Sequence, residues 1–181
     1  MLGSVMGDFV KGPINDEVRQ RYGGAVTQAI TLHRRIDSFT DAHPVVRESR
    51  NRISPERRRF AGIMIDLFYD HFLAKYWEEF HHRPLGEFTG EFYGILRGRQ
   101  RELPERFKRV ATFMVDLDWL GSYAHIESID TALNRMSQRL RRDNTLPNSA
   151  EELVAHYAEL ELDFRRFFPE VLEFARKFQA A

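Results

Sequence analysis

Apolar residues recur at three- and four-residue intervals along nearly the whole chain, and this period limits the fold more than any other feature. Residues at that spacing share one face of an α-helix, whereas a half-buried strand needs alternation, and no convincing alternating segment is found. The chain has 181 residues, of which 43% are apolar and 15 are phenylalanine, so it can bury one substantial core. We therefore expect an all-α fold, a single-domain helical bundle over residues 1–181.

Local signals predict several helix boundaries. Ser54 suits an N-cap and Pro55 the first helical position, so a helix is expected to begin there. Ser149, followed three residues later by Glu152, is typical of a capping box at the start of the last helix. Pro169 is expected to kink or divide that helix, because proline lacks the main-chain N–H that a helix interior requires.

One predicted helix carries a histidine and two acids at four-residue spacing. His33, Asp37 and Asp41 lie on successive turns and so share one stripe of the helix. A plain alternative is a helix-surface His–Asp pair, which contributes about a few tenths of a kcal/mol to stability. The pattern becomes informative only when it is combined with a second one further along the chain.

The second pattern is Asp66-Leu67-Phe68-Tyr69-Asp70-His71, within a strongly apolar helix. Asp66 and Asp70 lie one turn apart and repel each other, and His71 lies about 100° further round by the helical repeat. Acids in so apolar a segment are costly to bury unless a cation compensates for their charge. Either a metal ion or an arginine supplies that charge.

Taken together, the two patterns predict a divalent metal site. Imidazole combined with carboxylate suits Mn, Fe or Zn, whereas carboxylates alone favour Mg. Asp8 is a further candidate because it has the same apolar context near the start of the chain. The predicted metal-ligating residues are His33, Asp37, Asp66, Asp70, His71 and Asp8.

Other features exclude several kinds of chemistry. The chain has no cysteine, so thiol nucleophiles, thiolate metal sites and disulfides are impossible. Walker-type loops, GxGxxG and the serine-nucleophile motif GxSxG are absent.

Lys+Arg and Asp+Glu both number 27, so no overall charge attracts nucleic acid. No apolar run is long enough to span a bilayer and no signal peptide is visible, so we expect a cytoplasmic protein without a nucleic-acid or membrane partner.

Arginines cluster next to the two acidic patterns. Arginine runs are often only solvated surfaces, but guanidinium groups around a metal site would also suit a phosphorylated substrate or an acidic protein partner. The predicted docking residues are Arg34, Arg35, Arg57, Arg58 and Arg59.

The same motifs resemble a known family. The run His33–Asp41 with His43-Pro44-Val45-Val46-Arg47-Glu48, the segment Asp66–Ala74 and the run Gly7–Gly12 are similar to bacterial acyl carrier protein phosphodiesterases. The aromatic segment Asp163–Pro169 matches more loosely. The resemblance covers nearly the whole chain.

The chain departs from the family pattern at two points. HD proteins usually have the order His-Asp, whereas this chain has Asp70-His71. Relatives usually carry a short N-terminal segment with a histidine, which we expect this chain to lack.

The resemblance implies a divergent HD-type metal phosphohydrolase, all-helical and active with Mn or Mg. Such an enzyme removes 4′-phosphopantetheine from holo-acyl carrier protein and leaves the apo protein. Asp37 or Asp70 would then orient or deprotonate the attacking water, and His71 would serve as a ligand or as the acid for the leaving group.

Two alternatives stay open from the sequence. The first is an HD-like phosphohydrolase of a small phosphodiester or nucleotide, with the same metal site. The second is a non-catalytic helical binding module, in which the acids pair with arginines. The sequence does not indicate the oligomeric state.

Overall fold

Helices make up nearly all of the regular structure in residues 2–140 and 142–180, which are the residues that the computed structural model describes. Within these ranges there are twelve α-helices and no strand, which confirms the all-α prediction. Met1, Arg141 and Ala181 lie outside the described residues. The helices are α1 (Leu2–Met6), α2 (Asp16–Tyr22), α3 (Gly24–Ala42), α4 (Pro44–Arg52), α5 (Ala61–Lys75), α6 (Trp77–Phe80), α7 (Leu85–Gly98), α8 (Glu105–Asp116), α9 (Trp119–Ser122), α10 (Ile126–Arg139), α11 (Ala150–Ala155) and α12 (Tyr157–Ala180).

The buried apolar side chains form two clusters. The larger joins α4, α5, α10, α11 and α12, with Phe68, Phe72 and Phe164 almost fully buried at its centre. The smaller joins α1, α3, α7 and α8 and includes the buried Ile30 and Phe107. The C-terminal half of α3 packs on the larger cluster, so α3 contributes to both. The stripe of α3 that carries His33 and Asp37 is thereby held between the two clusters.

A glycine in α1 sets how closely the N-terminal segment lies to α3. A Cβ atom on Gly3 would be 2.4 Å from the carbonyl oxygen of Val26 and 2.6 Å from the Cβ atom of Ala29. Only a residue without a side chain allows this approach. The contact brings the turn after α1, which carries Asp8, next to the middle of α3.

The predicted helix start at Ser54 is wrong, because Ser54 bonds to a distant residue instead. Its main-chain N–H donates to Glu152 Oε2 over 3.2 Å, and its hydroxyl donates to Glu152 Oε1. Residues 55–57 form a turn, and α5 begins only at Ala61. The predicted capping box fails for the same reason: the carboxylate of Glu152 lies on Ser54, and Ser149 makes no side-chain cap bond at the start of α11.

Pro169 does not divide the last helix, which continues from Tyr157 to Ala180. The break lies at His156, where α11 ends and α12 begins. The His156 N–H donates to the Glu152 carbonyl, and the His156 carbonyl accepts from the Leu160 N–H. None of the described helices combines the length and hydropathy that crossing a membrane would require.

Candidate metal centre in an acidic pocket

A cavity of about 570 Å³ opens between α3, α5, α12 and the turn after α1, and we call it the acidic pocket. Its lining combines most of the predicted site residues with aromatic and aliphatic side chains. The acids and the histidine in the lining are Asp8, His33, Asp37, Asp41, Asp66 and Asp70. The other lining residues are Thr40 and an apolar set, which consists of Ile36, Tyr69, Leu73, Phe164, Phe167, Phe168 and Val171.

Three of the predicted ligands converge on one point. His33 Nε2 lies 3.4 Å from Asp8 Oδ1 and 3.2 Å from Asp37 Oδ2. One donor atom from each of the three residues lies within 4.8 Å of the other two. Two ligands bound about 2.1 Å from an ion at a right angle are about 3 Å apart. The donor set, one imidazole and two carboxylates, and its spacing therefore fit a divalent cation.

The charges within this triad depend on one another. A hydrogen bond from His33 lowers the pKa of Asp8, although partial burial opposes this effect. The same bond to Asp8, together with the charge of Asp37, raises the pKa of His33. Partial burial raises the pKa of Asp37. These shifts favour a protonated His33 beside an ionised Asp8, and a divalent cation would supply positive charge at the same point.

Asp66 and Asp70 line the same cavity but lie outside the triad. Both carboxylates contact solvent in the pocket, yet protein atoms surround them closely and limit their hydration. This desolvation raises the pKa of Asp66 to about 6 and that of Asp70 to about 7, with the neighbouring acids adding to the rise. The pocket therefore has more negative charge than its own cations neutralise.

An arginine from α4 supplies part of the missing positive charge. Arg50 Nη2 donates to Asp41 Oδ1 over 2.6 Å, and the charge of Arg50 lowers the pKa of Asp66 against the larger effect of desolvation. The sequence prediction did not assign Asp41 or Arg50 to the site. Asp41 continues the spacing of His33 and Asp37, so the signal was present, whereas the position of Arg50 depends on how α4 packs.

A buried polar network supports the apolar set of lining residues. Ser49 Oγ donates to Asp163 Oδ2 over 2.9 Å, so the hydroxyl of Tyr69, 2.7 Å away, donates to Ser49. Arg52 Nε also donates to Asp163, which is fully buried. Burial raises the pKa of Tyr69 to about 12, so its hydroxyl keeps its proton. The network holds Tyr69 against the cavity.

The structure does not bring His71 to the pocket. His71 is 1% exposed, and its ring lies between Tyr123 and Tyr157. Its Nδ1 donates to the Tyr123 carbonyl over 2.9 Å. Lys75 donates to the Tyr157 hydroxyl, which in turn donates to His71 Nε2 over 2.9 Å. Burial lowers the pKa of His71 and favours this neutral form. Because both ring nitrogens have protein partners, we correct its predicted role from ligand and catalytic group to structural residue.

None of the five predicted docking arginines lines the acidic pocket. Arg34 donates to the carbonyls of Val10 and Gly12, and Arg58 donates to those of Asn51 and Ile53. These two side chains therefore hold main-chain segments together.

The other three docking arginines are placed differently. Arg57 lies 3.5 Å from Glu151 and 3.6 Å from Glu152, so carboxylates compensate its charge. Arg35 and Arg59 are exposed. Their side chains are therefore accessible to a partner.

Comparison with known proteins agrees with the resemblance seen in the motifs. The family described as acyl carrier protein phosphodiesterase matches residues 1–171. The relative of that name from Pectobacterium atrosepticum is 32% identical over 177 residues, which are 97% of this chain and 90% of the relative. The one from Escherichia coli O6:H1 is 35% identical over 178 residues, 98% of this chain and 90% of the relative.

A third relative, from an Enterobacter species, is 33% identical over 180 residues, 99% of this chain and 91% of the relative, and carries the same name. No solved structure matches the chain, so the likeness to the HD-domain fold stays a prediction. The extent and identity of these matches leave one conclusion: the chain belongs to the acyl carrier protein phosphodiesterase family.

Proposed function

We propose that this protein is a metal-dependent phosphodiesterase, which hydrolyses the bond between 4′-phosphopantetheine and a serine of holo-acyl carrier protein. The observation that carries the proposal is the triad Asp8–His33–Asp37, whose donor atoms lie within 4.8 Å of one another at the edge of a cavity of about 570 Å³. The names of the family and of the three relatives supply the substrate class.

The residues that would hold the cation are Asp8, His33 and Asp37, and Asp66 and Asp70 line the same pocket. We propose Mn or Mg, and the imidazole in the donor set favours Mn over Mg. A divalent ion in this position supplies positive charge for the phosphodiester oxygens and increases the acidity of water. Without that charge, an acidic pocket would repel a phosphodiester.

The acids around the triad have a second use in this proposal. In the metal-free pocket the pKa values of about 6 for Asp66 and about 7 for Asp70 lie near neutral pH, where a carboxylate can both accept and release a proton. Because the pKa of Asp70 is the closer of these to neutral, we assign Asp70 to accept a proton from water, and Asp37 serves mainly as a ligand. The apolar residues of the pocket offer a surface for the part of the phosphopantetheine arm that lies next to the phosphodiester.

The partner in this proposal is an acidic carrier protein, which exposed arginines would attract through long-range electrostatics. Arg35, Arg58 and Arg59 are the exposed members of the predicted docking set, and of these Arg58 already donates to main-chain carbonyls. We place the reaction in the cytoplasm, a reducing compartment with which the absence of cysteine is compatible.

The proposal is tested by intact-mass spectrometry of holo-acyl carrier protein incubated with the purified protein and Mn, with and without a chelator. We expect loss of the phosphopantetheine mass with Mn and no loss with the chelator. Loss that persists in excess chelator would contradict the metal dependence. An unchanged carrier together with rapid hydrolysis of bis(p-nitrophenyl) phosphate would favour a hydrolase of small diesters.

A further inference from the structure

A second cavity adjoins the acidic pocket, and nothing in the proposed function accounts for it. It measures about 110 Å³ and lies between α5, α6, α7 and α9, and we call it the apolar pocket. Asp70 and Leu73 line both cavities, so the two meet along one turn of α5. The remaining lining residues are Ala74, Trp77, Leu85, Phe88, Thr89, Leu120 and Tyr123.

Hydrogen bonds and an aromatic contact hold the walls of the apolar pocket. The indole Nε1 of Trp77 donates to the Arg83 carbonyl over 2.8 Å, which leaves its ring to form an apolar wall. That ring packs on Phe88 with centroids 4.7 Å apart. The Tyr123 carbonyl accepts from His71, which anchors the opposite wall. At about 110 Å³ the cavity is smaller than a pocket for a whole small molecule, which measures about 300–1,000 Å³, so it is suited to one end of a longer ligand.

The chemistry of the two cavities indicates which ligand binds in the apolar pocket. Resting on the proposed function, we propose that the apolar pocket binds the distal, thiol-bearing end of the 4′-phosphopantetheine arm while the phosphodiester lies in the acidic pocket. That end is uncharged at neutral pH, which suits an apolar lining, and a second anion there would face the carboxylate of Asp70. The shared turn at Asp70 and Leu73 provides the continuity that one elongated ligand needs.

A substitution that fills the apolar pocket tests this inference. Ala74 lines this cavity but not the acidic pocket. We expect Ala74→Leu to lower kcat/KM for holo-acyl carrier protein at least about tenfold more than kcat/KM for bis(p-nitrophenyl) phosphate, which has no such arm, since a misfit of even one methylene in an apolar pocket changes kcat/KM about 10- to 200-fold. The matched control is Ala158→Leu on the exposed side of α12, which should change neither value.

Equal losses for both substrates, or no loss, would overturn the inference and leave the proposed function intact. A wild-type protein that hydrolyses the small diester but not the carrier substrate would instead overturn the proposed function. The two failures are therefore distinguishable.

A binding measurement gives an answer even where Ala74→Leu does not fold. The chain has two tryptophans, and Trp77 lines the apolar pocket whereas Trp119 does not. We expect D-pantetheine, which has no phosphate, to change the fluorescence of the wild-type protein saturably, and the change to vanish in Trp77→Phe. No saturable change in the wild type, or an equal change in Trp77→Phe, would overturn the inference.

Discussion

Gly7 lies directly against the imidazole ring of His33. A Cβ atom on Gly7 would come within 1.9 Å of the ring carbon Cδ2 and 2.7 Å of Nε2, the nitrogen that faces both acids of the triad. The imidazole therefore has its place only because residue 7 has no side chain. The glycine next to Asp8 thus takes part in shaping the proposed metal centre without offering a ligand.

Gly7→Ala should consequently displace the His33 ring and weaken Mn binding by about tenfold or more, in the range found when groups that orient metal ligands are removed. The measurement is a calorimetric Mn titration of a variant shown by circular dichroism to be folded. The matched control is Gly94→Ala, an exposed position on α7 with open space around its Cβ. It should leave Mn binding unchanged and add about 0.5–1 kcal/mol of stability. Unchanged affinity in Gly7→Ala would contradict the role of this contact.

The stability of the metal-free protein should fall as pH rises from 5 to 8. The pKa values of Asp66 and Asp70 are about 6 and 7 in the folded protein, above the ordinary value of 3.8, so the folded state binds more protons than the unfolded chain. This contribution is fully present below the unfolded pKa and is lost as pH rises through the folded one. The raised pKa of His33 acts in the same direction, and the lowered pKa of His71 opposes it, so the two histidines offset each other and the two acids set the sign.

Thermal unfolding in chelator should therefore give a Tm several degrees higher at pH 5 than at pH 8. Asp70→Asn, whose amide imitates the neutral acid, should reduce this dependence and raise Tm at pH 8. Saturating Mn should also remove most of the difference, since the ion compensates the same charges. A metal-free Tm that is equally high at both pH values in wild type and variant would rule out this account of the acids.

His71 should matter for stability rather than for metal binding. Replacing it with phenylalanine leaves the Tyr157 hydroxyl and the Tyr123 carbonyl without their partner, which costs about 1–3 kcal/mol per unsatisfied group. Urea unfolding of His71→Phe should show that loss, while a Mn titration of the folded variant should match the wild type. A folded variant that no longer binds Mn would return His71 to the ligand set.

Substitutions of the neighbouring residues Arg58 and Arg59 should affect different properties, stability in one case and carrier binding in the other. Arg58→Glu removes hydrogen bonds to the carbonyls of Asn51 and Ile53 and should lower stability. Arg59→Glu should instead raise KM for the carrier severalfold at low salt, with the difference shrinking at high salt because exposed charges are screened. The charge control is Arg101→Glu at another exposed position. A KM for Arg59→Glu that equals that of the control at every salt concentration would remove Arg59 from the docking surface.

Periodicity sufficed to predict the helical class and the stripe that carries His33 and Asp37, because both depend on residues one turn apart. Periodicity could not predict contacts between segments that are distant in the sequence. Ser54 has the local features of an N-cap, but its partner is Glu152, 98 residues further along the chain. His71 follows Asp70 directly, yet the helical turn of about 100° points its ring to Tyr123 and Tyr157 rather than to the pocket. Arg50 joins the site only through the packing of α4.

The most direct test of the account is a comparison of two histidine variants in the Mn-dependent mass assay on holo-acyl carrier protein. His33→Gln removes the central ligand of the triad, whereas His82→Gln changes an exposed histidine outside the acidic pocket. We predict that His33→Gln lowers the rate of phosphopantetheine release by about 100-fold or more and that His82→Gln releases it at the wild-type rate. Release by His33→Gln at the wild-type rate would contradict the assignment of this triad as the metal centre.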